Sequence, residues 1–209
     1  MGLNNTKSPI VYLSIGDGKV TKHLKEYAEG CVTYKTTKGD TKYRYEYESI
    51  DGLLKSVSVR PTEFNGVRTE KGQWSFLLES DGKLYSVNVP YSSGYAKYIL
   101  NQLCNITDFS TPIRIKPWKF TPDDSPKPKA GCTVYYGEGF NTKGTPRWTK
   151  DSTDMPEMKK VKFKGQDSWD DTEQCEFYER AVAELITPHL PKMGVGHAVD
   201  EEVDDVVPF

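Results

Sequence analysis

The chain reads as a mainly β protein, and three observations carry that reading. Short segments in which apolar and polar residues alternate with a period near two fill the first 164 of its 209 residues. Tight-turn residues punctuate them: Gly16-Asp17-Gly18, Lys38-Gly39-Asp40, Asp51-Gly52 and Ser80-Asp81-Gly82. Only two stretches carry helical spacing.

Taken in order, segments 10–14 and 19–22 flank the first of these turns, and 31–37 and 42–50 flank the second. A strand over 53–63 follows Asp51-Gly52 directly, and 73–79 with 83–89 form a further hairpin. Residues 113–120 and 133–136 complete the strands. Residues 93–104 have helical spacing, with Tyr95, Tyr98, Ile99 and Leu103 on one face. A short helix between two groups of strands is what a five-strand oligonucleotide-binding (OB) barrel places between its third and fourth strands. The expected architecture is therefore an elaborated OB-fold: a barrel with extra strands, a short helix between strands, and a C-terminal helix. Residues 121–129 are a Pro-rich loop that cannot join a ladder, and 137–160 are irregular. The second helix spans 172–187, opened by Asp170-Asp-Thr-Glu and ended by Pro188, with Phe177, Ala181, Val182 and Leu185 on its buried face. A globular domain over 1–192 then leaves 193–209 as a disordered acidic tail.

Composition narrows the function classes. Hydrophobic residues make up 36% and mean hydropathy is −0.66, values of a polar, soluble protein. No run of 18 apolar residues marks a membrane span, and the first residues lack the apolar stretch of a signal peptide. Cys31, Cys104, Cys132 and Cys175 have no zinc or redox spacing, which points to reduced thiols in a cytoplasmic protein. His23, His189 and His197 are scattered, and neither a P-loop nor a Gly-x-Ser-x-Gly turn occurs. Asp123-Asp124 and Asp170-Asp171 are isolated pairs without the spaced carboxylates of a magnesium nuclease. The expectation is a non-enzyme with no metal and no cofactor.

Charge is divided along the chain. Residues 1–164 carry 26 Lys and Arg against 18 Asp and Glu, whereas 165–209 carry 2 against 12. A basic body joined to an acidic end suits a polyanion binder that carries its own competitor. Within the body, Lys42-Tyr-Arg-Tyr-Glu-Tyr-Glu48 places Tyr43, Tyr45 and Tyr47 on one strand face and Lys42, Arg44, Glu46 and Glu48 on the other. The three rings form either a core wall or a platform on which unpaired bases stack, beside cations that hold phosphates. Tyr34 and Lys35 extend that hairpin. Arg114, Lys116, Trp118 and Lys119 offer the same mixture at the end of strand 113–120, and Arg147 and Trp148 offer it in a loop. Trp74, Phe76 and Leu78 share a face and belong to the core. Lys159-Lys-Val-Lys-Phe-Lys164 is a basic strand or arm.

The last ten residues, Asp200-Glu-Glu-Val-Asp-Asp-Val-Val-Pro-Phe209, place five carboxylates ahead of an apolar tip. An acidic run alone is often no more than a solubility tail. This one resembles the C-terminal tip of bacterial and phage single-stranded-DNA-binding proteins, an acidic stretch followed by Ile-Pro-Phe. Val207 stands in the Ile position ahead of Pro208 and Phe209, with Asp204 and Asp205 upstream. The body departs from the bacterial pattern, so the phage type is the closer match. The resemblance implies binding of single-stranded DNA without strong sequence preference during replication, recombination and repair, in the cytoplasm of the host cell. It also implies that Asp204, Asp205, Val207, Pro208 and Phe209 recruit partners such as a polymerase, helicase or recombinase. The rival expectation is a β-rich adaptor that docks on replication machinery through its tip without touching DNA.

Overall fold

The computed structural model describes residues 10–64, 66–149, 151–163 and 166–191. Asp204, Asp205, Val207, Pro208 and Phe209 lie outside the described residues, as do Lys150 and Lys164. The strands are β1 (Val11–Gly16), β2 (Lys19–Leu24), β3 (Val32–Lys35), β4 (Thr41–Tyr47), β5 (Ile50–Phe64), β6 (Val67–Ser80) and β7 (Lys83–Pro90). After helix α1 (Gly94–Leu103) come β8 (Ile113–Phe120), β9 (Lys129–Tyr136), β10 (Thr142–Lys143), β11 (Lys159–Phe163) and β12 (Gln166–Asp170). Helix α2 (Thr172–Ala181) follows.

Ten strands form one sheet in the order β10-β9-β8-β5-β6-β7-β1-β2-β4-β3, and β11 with β12 make a separate hairpin. The mainly β expectation holds, but the closed barrel does not: among the described residues the ladder does not return on itself. Closure of β9-β8-β5-β6-β7 needs the free edges of β7 and β9 to meet. Instead β1 pairs in parallel with β7, from Val11 opposite Tyr85 to Ser14 opposite Asn88. The edge of β9 is satisfied in another way. The Gln102 side chain of α1 donates to the Cys132 carbonyl at 2.9 Å and accepts from the Val134 amide at 2.9 Å. The Gly144 amide donates to the Val134 carbonyl at 2.7 Å. A buried side-chain amide thus stands where a strand would have been.

The sheet still wraps one core, in which Leu13, Val20, Leu54, Phe76, Val87, Ile115 and Val134 meet Ile99, Leu100 and Leu103 of α1. Trp74, Phe76 and Leu78 are buried there, as expected. The β1–β2 hairpin bends back against β8. Its turn holds Asp17 at φ 51° and Gly18 at φ 75°. A Cβ at Gly18 would lie 2.7 Å from the Lys119 backbone nitrogen, so glycine here serves both the left-handed turn and the close approach.

Several expected boundaries move. Asp51 and Gly52 form no turn; they pair with Arg114 and Ile113 of β8, and the break falls at Glu48 and Ser49. Gly52 is required because a Cβ there would sit 2.8 Å from the Glu79 carbonyl oxygen. β5 and β6 continue through charged residues, with Thr62 opposite Thr69 and Glu63 opposite Arg68, a pairing without apolar alternation. On α1, Tyr98 turns outward at 44% exposure, and Ala96, Ile99, Leu100, Gln102 and Leu103 form the buried face. Pro188 does not end the second helix: α2 passes through a π turn, Val182–Ile186, into a 3-10 turn, Thr187–His189, that contains the proline. Ala181 and Val182 are buried as expected, with Phe177 and Leu185 packed partly against them. Burial pushes the thiol of Cys104 up to about 12 and that of Cys175 to about 11, so both stay protonated.

Replacing Gln102 by Met keeps the volume and removes both bonds to β9. Two buried backbone groups are then unpaired, at about 1–3 kcal/mol each. Urea denaturation is expected to report a loss of about 2–6 kcal/mol without a change of slope.

Candidate nucleic-acid interface

Outward positions alternate along β8, which sets Arg114, Lys116, Trp118 and Phe120 on the face away from the core. Opposite Trp118 on β9 stands Gly131, where a Cβ would lie 2.6 Å from the Trp118 ring and 2.8 Å from the Tyr98 ring. This glycine makes room for two aromatic side chains to meet over bare backbone. Tyr98 contacts Trp118 edge-on at 5.6 Å, and Phe120 lies 5.7 Å on its other side. Trp118 is half-buried and Phe120 is 53% exposed, so the three rings form a cluster open to solvent at the rim of the sheet. Lys116 and Lys129, the last directly opposite Phe120, are exposed on the same face, whereas Lys119 falls on the other face of β8 beside the β1–β2 turn. The Pro-rich loop joins β8 to β9 beside them.

The hairpin β3–β4 forms the second group. Tyr34, Lys42 and Arg44 share a face with His23. The Arg44 guanidinium lies 4.8 Å from the Tyr34 ring centre and pairs with Glu46 at 2.6 Å. His23 bridges Ser14 at 3.2 Å and the Tyr34 hydroxyl at 3.1 Å. Lys35 donates to Thr41 and Lys42 is exposed. Tyr43, Tyr45 and Tyr47 point to the opposite face and stay out of the buried core. Tyr43 meets Tyr27 edge-on, and the Tyr45 hydroxyl donates to the Glu29 carbonyl. Tyr47 and Tyr85 line a cleft of about 440 Å³ at one end of the core, with Lys22 and Lys83 at its mouth.

Asp17 joins the two groups. Its carboxylate accepts from Lys119 at 2.8 Å and lies 4.0 Å from Arg44. The Lys119 ammonium, then Arg44, hold this carboxyl below the usual carboxylate range. Tyr95 of α1 fixes the turn by accepting from the Gly18 amide at 2.9 Å. Lys19 pairs with Glu48 along the same seam, with Lys116 close enough to lower the Glu48 carboxyl further.

Not all expected residues belong to this surface. Trp148 is a correction: it is 8% exposed, packed 4.7 Å from Phe177 and 6.0 Å from Tyr178, so its faces are filled by protein and no base can stack there. Asn101 pins it, donating to its carbonyl at 2.8 Å and accepting from its amide at 2.9 Å. Arg147 is exposed but tied to the Cys104 carbonyl beside this plug. Arg114 is engaged in a bidentate pair with Asp51, both distances 2.6 Å, and covers Phe140 at 4.2 Å. Tyr98 and Phe120 are the residues that sequence reasoning missed. For Phe120 the signal was available, since a strand places residue i+2 on the same face as Trp118.

Between the two groups, Ser58, Ser75, Asn88, Ser14 and Thr21 are successive partners across five strands on the face away from the core. Ser75 and Thr21 are buried there beside Leu77, whereas Ser58, Asn88 and Ser14 are partly exposed and Tyr12 is exposed.

Burial, followed by Arg44 and Lys42, holds the His23 imidazole below its ordinary 6.5. Folding then disfavours the charged form, so stability is full above about pH 6.5 and falls as pH drops towards the lowered folded value. Chemical denaturation between pH 7.5 and 5.5 is expected to show that loss, and His23→Gln to flatten it. Asp17 and Glu48, whose pKa values are lowered, act only in the more acidic carboxylate range. No family model, curated protein or solved structure matches this chain.

Proposed function

We propose that this protein binds single-stranded DNA without strong sequence preference and recruits replication or recombination proteins through its acidic C-terminal residues. The observation that carries the reading is the solvent-open cluster of Trp118, Tyr98 and Phe120 with Lys116 and Lys129 exposed on the same face. Sequence-tolerant single-strand binding needs this pairing of aromatic faces with cations: rings take successive bases at about 1–3 kcal/mol each while lysines follow the backbone. An adaptor that worked only through its tip would bury Trp118 and Tyr45, whereas both are half-exposed.

The strand order β9-β8-β5-β6-β7, with α1 between the third and fourth of these in chain order, supports reading this part as an opened OB-fold whose closing position is taken by β1. In that fold the face of the second and third strands and the loop between the fourth and fifth receive oligonucleotides. Here these are the outer face of β6 and β7, where Asn88 is partly exposed and Ser75 and Ser86 are buried, and the Pro-rich loop next to Trp118 and Phe120. The resemblance of Val207-Pro208-Phe209 to the tips of single-stranded-DNA-binding proteins supports the recruiting role.

Titration with oligo(dT), followed by intrinsic tryptophan fluorescence at 50 and 200 mM salt, tests the reading. Quenching that weakens with salt is expected. Trp118→Ala is expected to remove most of the quenching and to weaken binding about 5- to 150-fold, the equivalent of one stacked base. Trp148→Phe is expected to bind like the parent. No binding at 50 mM salt would sink the proposal.

A further inference from the structure

Asp17 is exposed, yet it is the carboxylate that contacts cations from both groups of the candidate interface: Lys119 of β8 and Arg44 of β4. Its position is built rather than incidental. The turn holds it at φ 51°, the Gly18 backbone packs on Lys119, and the Gly18 amide is anchored to Tyr95. Both cations belong to residues suited to phosphate: Lys119 is held by Asp17 at 2.8 Å, while Arg44, 4.0 Å from Asp17, also pairs with Glu46 at 2.6 Å. Lys119 lies between Trp118 and Phe120 along β8, on the other face of the strand.

We infer that Asp17 is an internal stand-in for a backbone phosphate, holding Lys119 and Arg44 at phosphate-bridging separation and yielding its place when a single strand binds. This rests on the nucleic-acid reading and adds to it a residue that sets affinity and salt response. Displacement is feasible because the pair is exposed, with side chains 40% and 63% accessible for Lys119 and Asp17. Ion pairs so open to solvent are weak, because water and salt screen them. A phosphate brings the same charge-assisted hydrogen bonds and, unlike the carboxylate, releases counterions from the nucleic acid.

The test is Asp17→Asn, because asparagine tolerates the left-handed turn. Fluorescence titration with oligo(dT) is run on the parent, D17N, K119Q and the double variant. Freeing one phosphate contact steepens the slope of log affinity against log salt by about 0.7, which makes D17N about eight-fold tighter at 50 mM and about three-fold tighter at 200 mM salt. In the K119Q background the gain is expected to shrink below about two-fold. D17N binding equal to or weaker than a parent that binds overturns the inference and leaves the nucleic-acid reading standing. So does tighter binding with an unchanged salt slope that persists in the double variant. A parent that does not bind at 50 mM salt removes the reading and the inference together.

Discussion

One pairing decides the arrangement: β1 lies in parallel along β7 and occupies the edge that would otherwise close the sheet. Hydrogen-bond satisfaction then propagates through the molecule, since neither strand edges nor buried amides are left open at low cost. The outer edge of β9 is met by the short strand β10 and by the Gln102 side chain, which commits α1 to run along β9. With α1 in that position, Tyr98 stands over Gly131 and meets Trp118. On the other side, β1 carries β2, β4 and β3 with it, and the hairpin tip reaches back to β8. The meeting of Asp17, Lys119 and Arg44 is thus a consequence of where one strand was inserted.

The same insertion separates the jobs of the two sheet faces. Inward positions are aliphatic and aromatic and merge with α1 and α2 in a single core. Outward positions of β6 and β7 include Ser75, Ser86 and Asn88 beside the buried Leu77, with Ser75 and Ser86 bonded to each other at 2.9 Å and Ser86 to Asn88 at 3.0 Å. The hydroxyls of Ser75 and Ser86 satisfy each other in a buried position, so this face of the sheet needs no further partner for them.

Local signals in the sequence were read well and long-range ones were not. Strand 113–120 and the turns at Asp17-Gly18 and Asp81-Gly82 were legible because alternation and left-handed turn residues are properties of neighbours. The parallel β1–β7 pair was not, because its partners lie some seventy positions apart and carry no shared pattern. The β5–β6 extension hid behind Thr62, Glu63, Arg68 and Thr69, whose ladder is made by backbone alone. Trp148 looked like a loop ring because its neighbours are polar; it is buried by Asn101 and α2, contacts that span the chain. Tyr98 looked like core because helical spacing cannot tell a buried face from the flank that meets an outward-facing Trp118.

Electrostatics adds a further constraint, because several cations of this surface are paired with carboxylates, Lys19 with Glu48, Arg44 with Glu46, Lys119 with Asp17 and Arg114 with Asp51, while Lys42, Lys116 and Lys129 are exposed. Bare lysines would attract any polyanion from a distance and would repel one another in the folded body. Paired lysines keep their geometry, lower that repulsion, and demand that an incoming anion compete on contact. Such competition favours ligands that bring something besides charge. A base that stacks on Trp118 while its phosphate displaces a carboxylate gains on both counts, whereas a simple polyanion gains on one. On the proposed function, this pairing of cations with carboxylates beside exposed rings would favour unstacked nucleic acid over duplex, whose bases have no free faces to offer.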